Sequence, residues 1–350
     1  MVAGGGRMGL GTDRSAVERT VSVVRADEPL GMLDRMVEGP RAWTRQSVRP
    51  EDWTLAFPTA VQREIASLAE TLRAAPLPIL LLHPDQFQLQ ACRDLFLRVR
   101  EAVTAGMGMV VLDALPMDDL SPEEAAALYW VLGRLLSRPV ATKWNGTMIY
   151  DVTDTAKPFG DGVRGSATNV QLSFHTDNAF GLSLPDYVGL LCVHPASSGG
   201  ISRACSLYSA HNEMFRRHAR LLRRLYEPAF YDRQAEHAPE APGILCAPLF
   251  YYDGKQLSSR LTPGLIRRGY QRMETPMDTV LADALECLEQ IVTREDLWIE
   301  FQLERGQIQF MDNRVCAHYR SAFTDGKAQT PKRHLLRVWY RETGLQTYDG

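Results

Sequence analysis

The chain has 350 residues, 45% of them apolar and 23% charged, with a formal net charge of −3. These are ordinary values for a globular protein that closes its core without staples. They exclude a basic nucleic-acid footprint, and apolar runs such as PLPILLLHP (76–84) fall far short of the about 20 residues a membrane helix needs. The six cysteines, Cys92, Cys192, Cys205, Cys246, Cys287 and Cys316, form no C-x-x-C pair. Most sit in apolar runs such as GLLCVHP and GILCAPLF, which reads as buried free thiols in a reducing compartment. The first residues, MVAGGGRMGLGTDR, lack the apolar core of a secretion signal, so a cytoplasmic location is expected.

Residues 1–40 are Gly-rich and charged and read as a flexible or surface-wrapped segment. Gly4-Gly5-Gly6-Arg7-Met8-Gly9 fits the dinucleotide fingerprint G-x-G-x-x-G. No strand precedes it and no acidic partner follows in a βαβ setting, so it is set aside. Residues 41–350 are expected to form one domain: a helical layer over about 58–137 and a β core over about 140–345. In the layer, PTAVQREIASLAETLRA and QLQACRDLFLRVREAVTAG carry apolar residues three and four apart, the second ending at Gly106 as a C-cap. MVVLDAL (109–115) reads as a short buried strand. Ser121-Pro122-Glu123-Glu124 then opens a helix with a capping box. After residue 140, short Val-, Leu-, Phe- and Tyr-rich segments recur between Gly, Pro, Asn and Asp, the signal of a β-sandwich or barrel. Helices are expected to interrupt it at 209–226 and 276–293.

The triplet H-x-[D/E] occurs three times, where roughly one chance match is expected: His83-Pro84-Asp85, His175-Thr176-Asp177 and His211-Asn212-Glu213. A metal needs both side chains on one side. Residues i and i+2 share a face in a strand and point about 200° apart in a helix. His211 and Glu213 begin a helical pattern and diverge. His83 and Asp85 straddle a proline at a turn, with Asp85 as a capping candidate. His175 and Asp177 follow the alternating segment VQLSF and precede the exit loop NAFG, so they can face one way from a strand end. Two nitrogens and a carboxylate on an octahedral metal leave adjacent sites open. His318 is the candidate third ligand, in QIQFMDNRVCAHYRSAF, which reads as two strands joined near Asp312-Asn313. Further on, RHLLRVWY places Arg333, Leu335 and Arg337 on one strand face, and a guanidinium there can take a carboxylate end-on.

The order H-x-D, GG-x-[T/S], distal His, R-x-x-x-R resembles the taurine dioxygenase-like (TauD/TfdA) family of Fe(II)/2-oxoglutarate oxygenases. SFHTDNAFG, PDYVGLLCVHPASSGG, GQIQFMDNRVCAHYRSAFTDG and RHLLRVWYRE all read like that family's core segments, and the likeness spans about residues 40–345. The resemblance implies a double-stranded β-helix (jelly-roll) core, mainly β with helical additions, behind an N-terminal helical layer. It implies that His175, Asp177 and His318 bind Fe(II), and that Arg333 holds the distal carboxylate of 2-oxoglutarate. Ser202, in Gly199-Gly200-Ile201-Ser202, stands where the family usually has Thr and would support the same carboxylate. Arg337 would lie near the iron and hold an anionic group of the substrate. The loop 155–171 would form part of a lid, with Gln171, Asn169 and Asn178 as polar contacts.

The implied reaction couples decarboxylation of 2-oxoglutarate, giving succinate and CO₂, to hydroxylation of a C–H in a small, anionic or amino-acid-like molecule by O₂. Desaturation, epoxidation and cyclisation begin with the same hydrogen abstraction and stay open. Asp177 fills the ligand position that halogenating relatives leave for halide, which favours hydroxylation. A non-catalytic jelly-roll binding module would have no need to keep both the ligands and Arg333. The expected partner is a small molecule, without nucleic acid or membrane.

Overall fold

A strand whose side chains are apolar on both faces must be covered twice, and the arrangement of the β core follows from that. The computed structural model describes residues 21–23, 31–158, 163–326 and 330–350. Its two facing sheets are built from β1 (Thr54–Leu55), β2 (Met109–Leu112), β3 (Arg138–Val140), β4 (Ile149–Thr153), β5 (Leu172–His175), β6 (Tyr187–His194), β7 (Ser202–Ser206), β8 (Trp298–Phe301), β9 (Ile308–Asp312), β10 (Cys316–Arg320) and β11 (His334–Arg341). A seven-stranded sheet runs β1-β2-β9-β6-β11, with β3 and β4 both paired along the far edge of β11. A four-stranded sheet runs β8-β7-β10-β5. The turn after Asp312 joins β9 to β10, as expected. The two strands lie in different sheets, so this turn carries the chain from one wall of the sandwich to the other.

The pleat of the seven-stranded sheet sorts its side chains. Tyr187, Leu191, Val193, Leu336, Val338 and Tyr340 pack with the helical layer. Val188, Leu190, Leu335, Arg337 and Trp339 alternate with them and line the cavity between the sheets. The layer consists of α1 (Thr59–Ala74), α2 (Gln90–Thr104) and α3 (Pro122–Leu136). Helix α1 buries Val61, Ile65, Leu68 and Leu72, and α2 buries Leu95, Phe96, Val99 and Val103. Each such side chain contributes roughly 1.5–3 kcal/mol by leaving water. The capping box of α3 is formed: the Glu124 N–H donates to Ser121 Oγ (3.1 Å) and the Ser121 N–H to Glu124 Oε2 (2.8 Å). Gly106 is not the left-handed cap expected for α2. The C-cap is Ala105, and the positive φ falls at Gly108.

Helices α4 (Leu207–Arg217), α5 (Ala219–Leu225) and α7 (Thr279–Val292) occupy the two interruptions expected in the β core. Helix α6 (Pro263–Arg272) was not expected, because Gly264 and Gly269 lower its intrinsic propensity. The packing needs one of them. A Cβ on Gly269 would sit 2.3 Å from the Phe230 carbonyl oxygen of the neighbouring Ala229–Asp232 strand.

Within residues 1–40, the described stretches 21–23 and 31–40 pack against the rest of the fold. Val21–Val23 adds a parallel strand to Ile244–Ala247. Further on, Leu33 and Trp43 are buried, and the backbone of Val37 exchanges two hydrogen bonds with the Asn212 side chain. The Gly4–Gly9 fingerprint lies outside the described residues. Among the described residues no helix is long and apolar enough to cross a membrane. All six cysteines are free; Cys246 and Cys287 are only half-buried.

Candidate active site

The two sheets enclose a cavity of about 600 Å³. His175 ends β5, and His318 lies directly opposite it across the antiparallel β5–β10 pair. Cross-strand neighbours hold their side chains side by side, and the two imidazole centroids are 4.3 Å apart. Asp177 follows two residues past the strand end. Its Oδ1 lies 3.8 Å from His175 Nε2 and 3.7 Å from His318 Nε2. Ligand atoms of the three residues all fall within 4.8 Å of one another, the only such His/Cys/Asp/Glu group among the described residues.

Hydrogen bonds fix His175 and Asp177 in forms that can hold a metal. His175 Nδ1 donates to the Ser173 carbonyl (2.8 Å), which leaves the Nε2 lone pair facing the cavity. Asp177 Oδ2 accepts from the Trp339 indole N–H (2.7 Å), so the carboxylate presents Oδ1 to the histidines. Arg337 Nη1 lies 3.2 Å from Oδ1 and 3.0 Å from Oδ2. The backbone is locked as well. Asn313 Oδ1 accepts the Asp177 N–H (2.7 Å), and Asn313 Nδ2 donates to the Asp177 carbonyl (2.9 Å).

The charge states agree with this geometry. Burial, reinforced by His175, pushes His318 down to about 3, and burial also lowers His175. For Asp177, burial pushes upward, but Arg337 and the two histidines outweigh it and hold the carboxyl at about 2. Two neutral imidazoles and one carboxylate result, the donor set that suits Fe(II) with open positions for a chelating cosubstrate and O₂.

A second cluster lies at the start of β11. Arg333 is only 6% exposed, and its Nη1 has no hydrogen-bond partner. The Gly199-Gly200 turn packs against it. Both glycines have positive φ, +73° and +69°, and a Cβ on Gly200 would come within 3.1 Å of Arg333 Nε. Ser202 lines the same cavity. A buried arginine with an orphaned N–H fits an incoming carboxylate. The side chains present therefore fit both Fe(II) and 2-oxoglutarate.

The remaining expected residues divide. Gln171 is exposed and lines the cavity, as do Arg164, Gly165 and Ser166 of the 155–171 loop, whose residues 159–162 lie outside the described residues. Asn169 does not line it. Asn178 adopts φ 53° and spends its amide on the turn: Tyr348 Oη donates to its Oδ1 (2.9 Å) and its Nδ2 donates to the Ser183 carbonyl (3.2 Å). It shapes the exit from β5 and also lines the cavity.

Sequence reasoning missed Trp339, although even spacing from Arg337 places it on the same face, and it missed Asn313 as the clamp on Asp177. It also missed Glu236, a cavity-lining carboxylate ion-paired with Arg164. No local pattern marks Glu236, which arrives from a loop between strands of another sheet. Of the two decoy triplets, His211 Nε2 bonds Tyr226 Oη (2.8 Å) while Glu213 pairs with Arg216 and Arg294. At the other, His83 Nδ1 accepts the Asp85 N–H, so the cap is His83 and not Asp85, which instead pairs with Arg93.

Comparison with known proteins places this geometry. The chain is 28% identical over 327 residues to FR-33289 synthase of Streptomyces rubellomurinus, covering 90% of this chain and 93% of that one. It is 28% identical over 184 residues to L-asparagine oxygenase of Streptomyces coelicolor, covering 51% and 50%. Similar solved folds include asparagine oxygenase in complex with Fe(II), 2S,3S-3-hydroxyasparagine and succinate (TM-score 0.62, 21% identity, 85% of this chain and 98% of that one). The non-heme iron oxygenase OrfP in complex with Fe and alpha-ketoglutaric acid is another (TM-score 0.62, 18% identity, 83% and 94%). These neighbours share the jelly-roll fold. The profile of the taurine catabolism dioxygenase TauD, TfdA family matches residues 75–339. The chain therefore belongs to the TauD/TfdA family, as a non-haem iron oxygenase dependent on 2-oxoglutarate.

Proposed function

We propose that His175, Asp177 and His318 hold Fe(II), that Arg333 and Ser202 hold the distal carboxylate of 2-oxoglutarate, and that the enzyme hydroxylates a C–H of a small amino-acid-like or anionic molecule. The observation that carries this is the meeting, in one cavity, of a His-Asp-His cluster and a buried arginine with an unpaired N–H. Fe(II) held with 2-oxoglutarate would activate O₂, the oxidant, while 2-oxoglutarate is itself oxidised to succinate and CO₂, the co-products. The protein's part is positioning. Ser173 and Trp339 orient His175 and Asp177. The neutral histidines need no deprotonation before binding metal. The walls, with Val188, Leu190 and Leu335, exclude water from the reacting C–H.

Support for an amino-acid-like substrate comes from the polar groups beside the metal cluster. Arg337 and the Arg164–Glu236 ion pair place both signs of charge in one cavity, where a zwitterion would exchange partners with that pair. Two of the relatives are named for asparagine oxidation. Gln171 reaches the same cavity from β5's leading edge, and the 163–171 segment would act as the lid wall. The free thiols support a cytoplasmic setting. Anaerobic titration of Mn(II) and 2-oxoglutarate, followed by succinate release with a panel of L-amino acids and other small anions, tests the proposal. Coupled binding and substrate-dependent succinate are expected, and no coupled binding would overturn it. A product that has gained one oxygen is expected; one that has lost two hydrogens would reassign the outcome to desaturation or cyclisation.

A further inference from the structure

We propose that Arg320 is a second arginine of the cosubstrate end and binds the distal carboxylate of 2-oxoglutarate together with Arg333; this rests on the reading just given. Arg320 lies two residues beyond His318 on β10, with a register shift between them against β5. It therefore enters the cavity from the four-stranded sheet, while Arg333 enters from the start of β11 in the seven-stranded one. The two side chains meet across Phe323. Their guanidinium carbons lie 4.8 and 5.1 Å from the centroid of that single ring. Ser202 is the register partner of Arg320 on β7, so the hydroxyl expected to support the carboxylate stands beside this second arginine.

The hydrogen bonds of the pair are incomplete. Arg320 and Arg333 are each 6% exposed. Arg320 Nη2 donates to the carbonyls of Thr168 and Val170, but its Nε and Nη1 have no partner, and neither has Arg333 Nη1. The acidic groups acting on the pair are Asp154 on Arg320 and Asp325 on Arg333, and Asp325 Oδ1 accepts the Arg333 backbone N–H (2.7 Å). Two buried cations thus lie against one ring with three unspent donors and little counter-charge. Buried donors of this kind are rarely left unpaired, and a carboxylate, with two oxygens and about four acceptor sites, satisfies three N–H groups at once. The mutual repulsion of the arginines is relieved when such an anion lies between them.

The competing role for Arg320 is purely structural, tying the 168–170 segment to β10. The two roles differ in what they sense. A carboxylate-binding arginine distinguishes 2-oxoglutarate from 2-oxobutyrate, which has the same chelating end and no distal carboxylate. A loop anchor affects both alike. Binding of each keto acid to the Mn(II)-loaded full-length enzyme is measured by calorimetry without oxygen, for wild type, Arg320→Gln and Arg320→Lys. Arg320→Gln is expected to weaken 2-oxoglutarate at least about tenfold more than 2-oxobutyrate, the loss typical of a charge-assisted hydrogen bond. Equal weakening of both, or no change, overturns the proposal. Should Arg320→Gln fail to fold by circular dichroism, Arg320→Lys decides. It keeps the charge but not the planar fork, and selective loss for 2-oxoglutarate is again expected, with equal loss overturning the proposal. A wild type that binds neither keto acid with metal refutes the underlying functional reading, an outcome distinct from either.

Discussion

His175 with Asp177 at the end of β5, and His211 with Glu213 inside α4, have the same spacing and nearly the same chemistry. Both pairs are largely withdrawn from solvent, yet they do opposite things. The strand end turns His175 and Asp177 toward one point, where His318 meets them. The helix sends His211 to Tyr226 and Glu213 to a cluster of arginines. Spacing becomes a metal site only where the backbone period matches it and a third strand supplies the missing ligand.

The sharpest way to break this comparison is Asp177→Ala. It removes one ligand and leaves Arg337 buried beside two histidines without its partner. Coupled succinate formation is expected to vanish, and metal affinity to fall by more than the roughly 10–100-fold that loss of a supporting hydrogen bond produces. The metal-free protein is expected to lose about 3 kcal/mol in urea denaturation because Arg337 is stranded. Unchanged turnover would remove Asp177 from the site. Next, Arg333→Gln is expected to weaken 2-oxoglutarate about 100-fold, or about 2.7 kcal/mol, with metal binding alone unaffected; calorimetry on the Mn(II) form checks both.

His211 is the smaller case, and its signature is pH. Burial holds it at about 4 in the folded protein, against about 6.5 in the unfolded chain. Between those values the unfolded state binds the extra proton. The associated stability is therefore fully present above pH 6.5 and is lost as pH falls toward 4. About 2 kcal/mol should be gone by pH 5. The difference between wild type and His211→Gln in unfolding free energy from urea titration should change by that amount from pH 7 to pH 5, to the disadvantage of wild type, and parallel curves would show that His211 does not titrate this way. The smallest effect belongs to the third triplet. Asp85→Ala breaks only exposed contacts with Arg93 and His83, and neither thermal midpoint nor metal affinity should move.

Much of this was readable in the chain. Helical periodicity located α1 and α2 because each buries one stripe, while α3, buried nearly all round, was marked by its capping box. The alternation in VQLSFH and RHLLRVWY marked β5 and β11 because each side of a strand meets a different neighbour. The same alternation placed Arg333, Leu335 and Arg337 on one face, and that face proved to be the cavity side. Helix α6 was hidden because its glycine serves a close contact with another strand and not the helix itself. The strand at Val21–Val23 was hidden because three residues gain their meaning only from the edge they join.

The sequence by itself determined most of the elements, the order of the motifs and the family, since those rest on local period and on residue types in line. The tertiary structure alone decided which groups meet. His318 reaches His175 because β10 crosses from one sheet to the other and pairs with β5 in that register. Trp339, Asn313 and Glu236 reach the site from segments far away in the chain, and Arg320 meets Arg333 only because two sheets close on Phe323. Such meetings are set by long-range pairing and packing, which leave no periodic trace in any one stretch of residues.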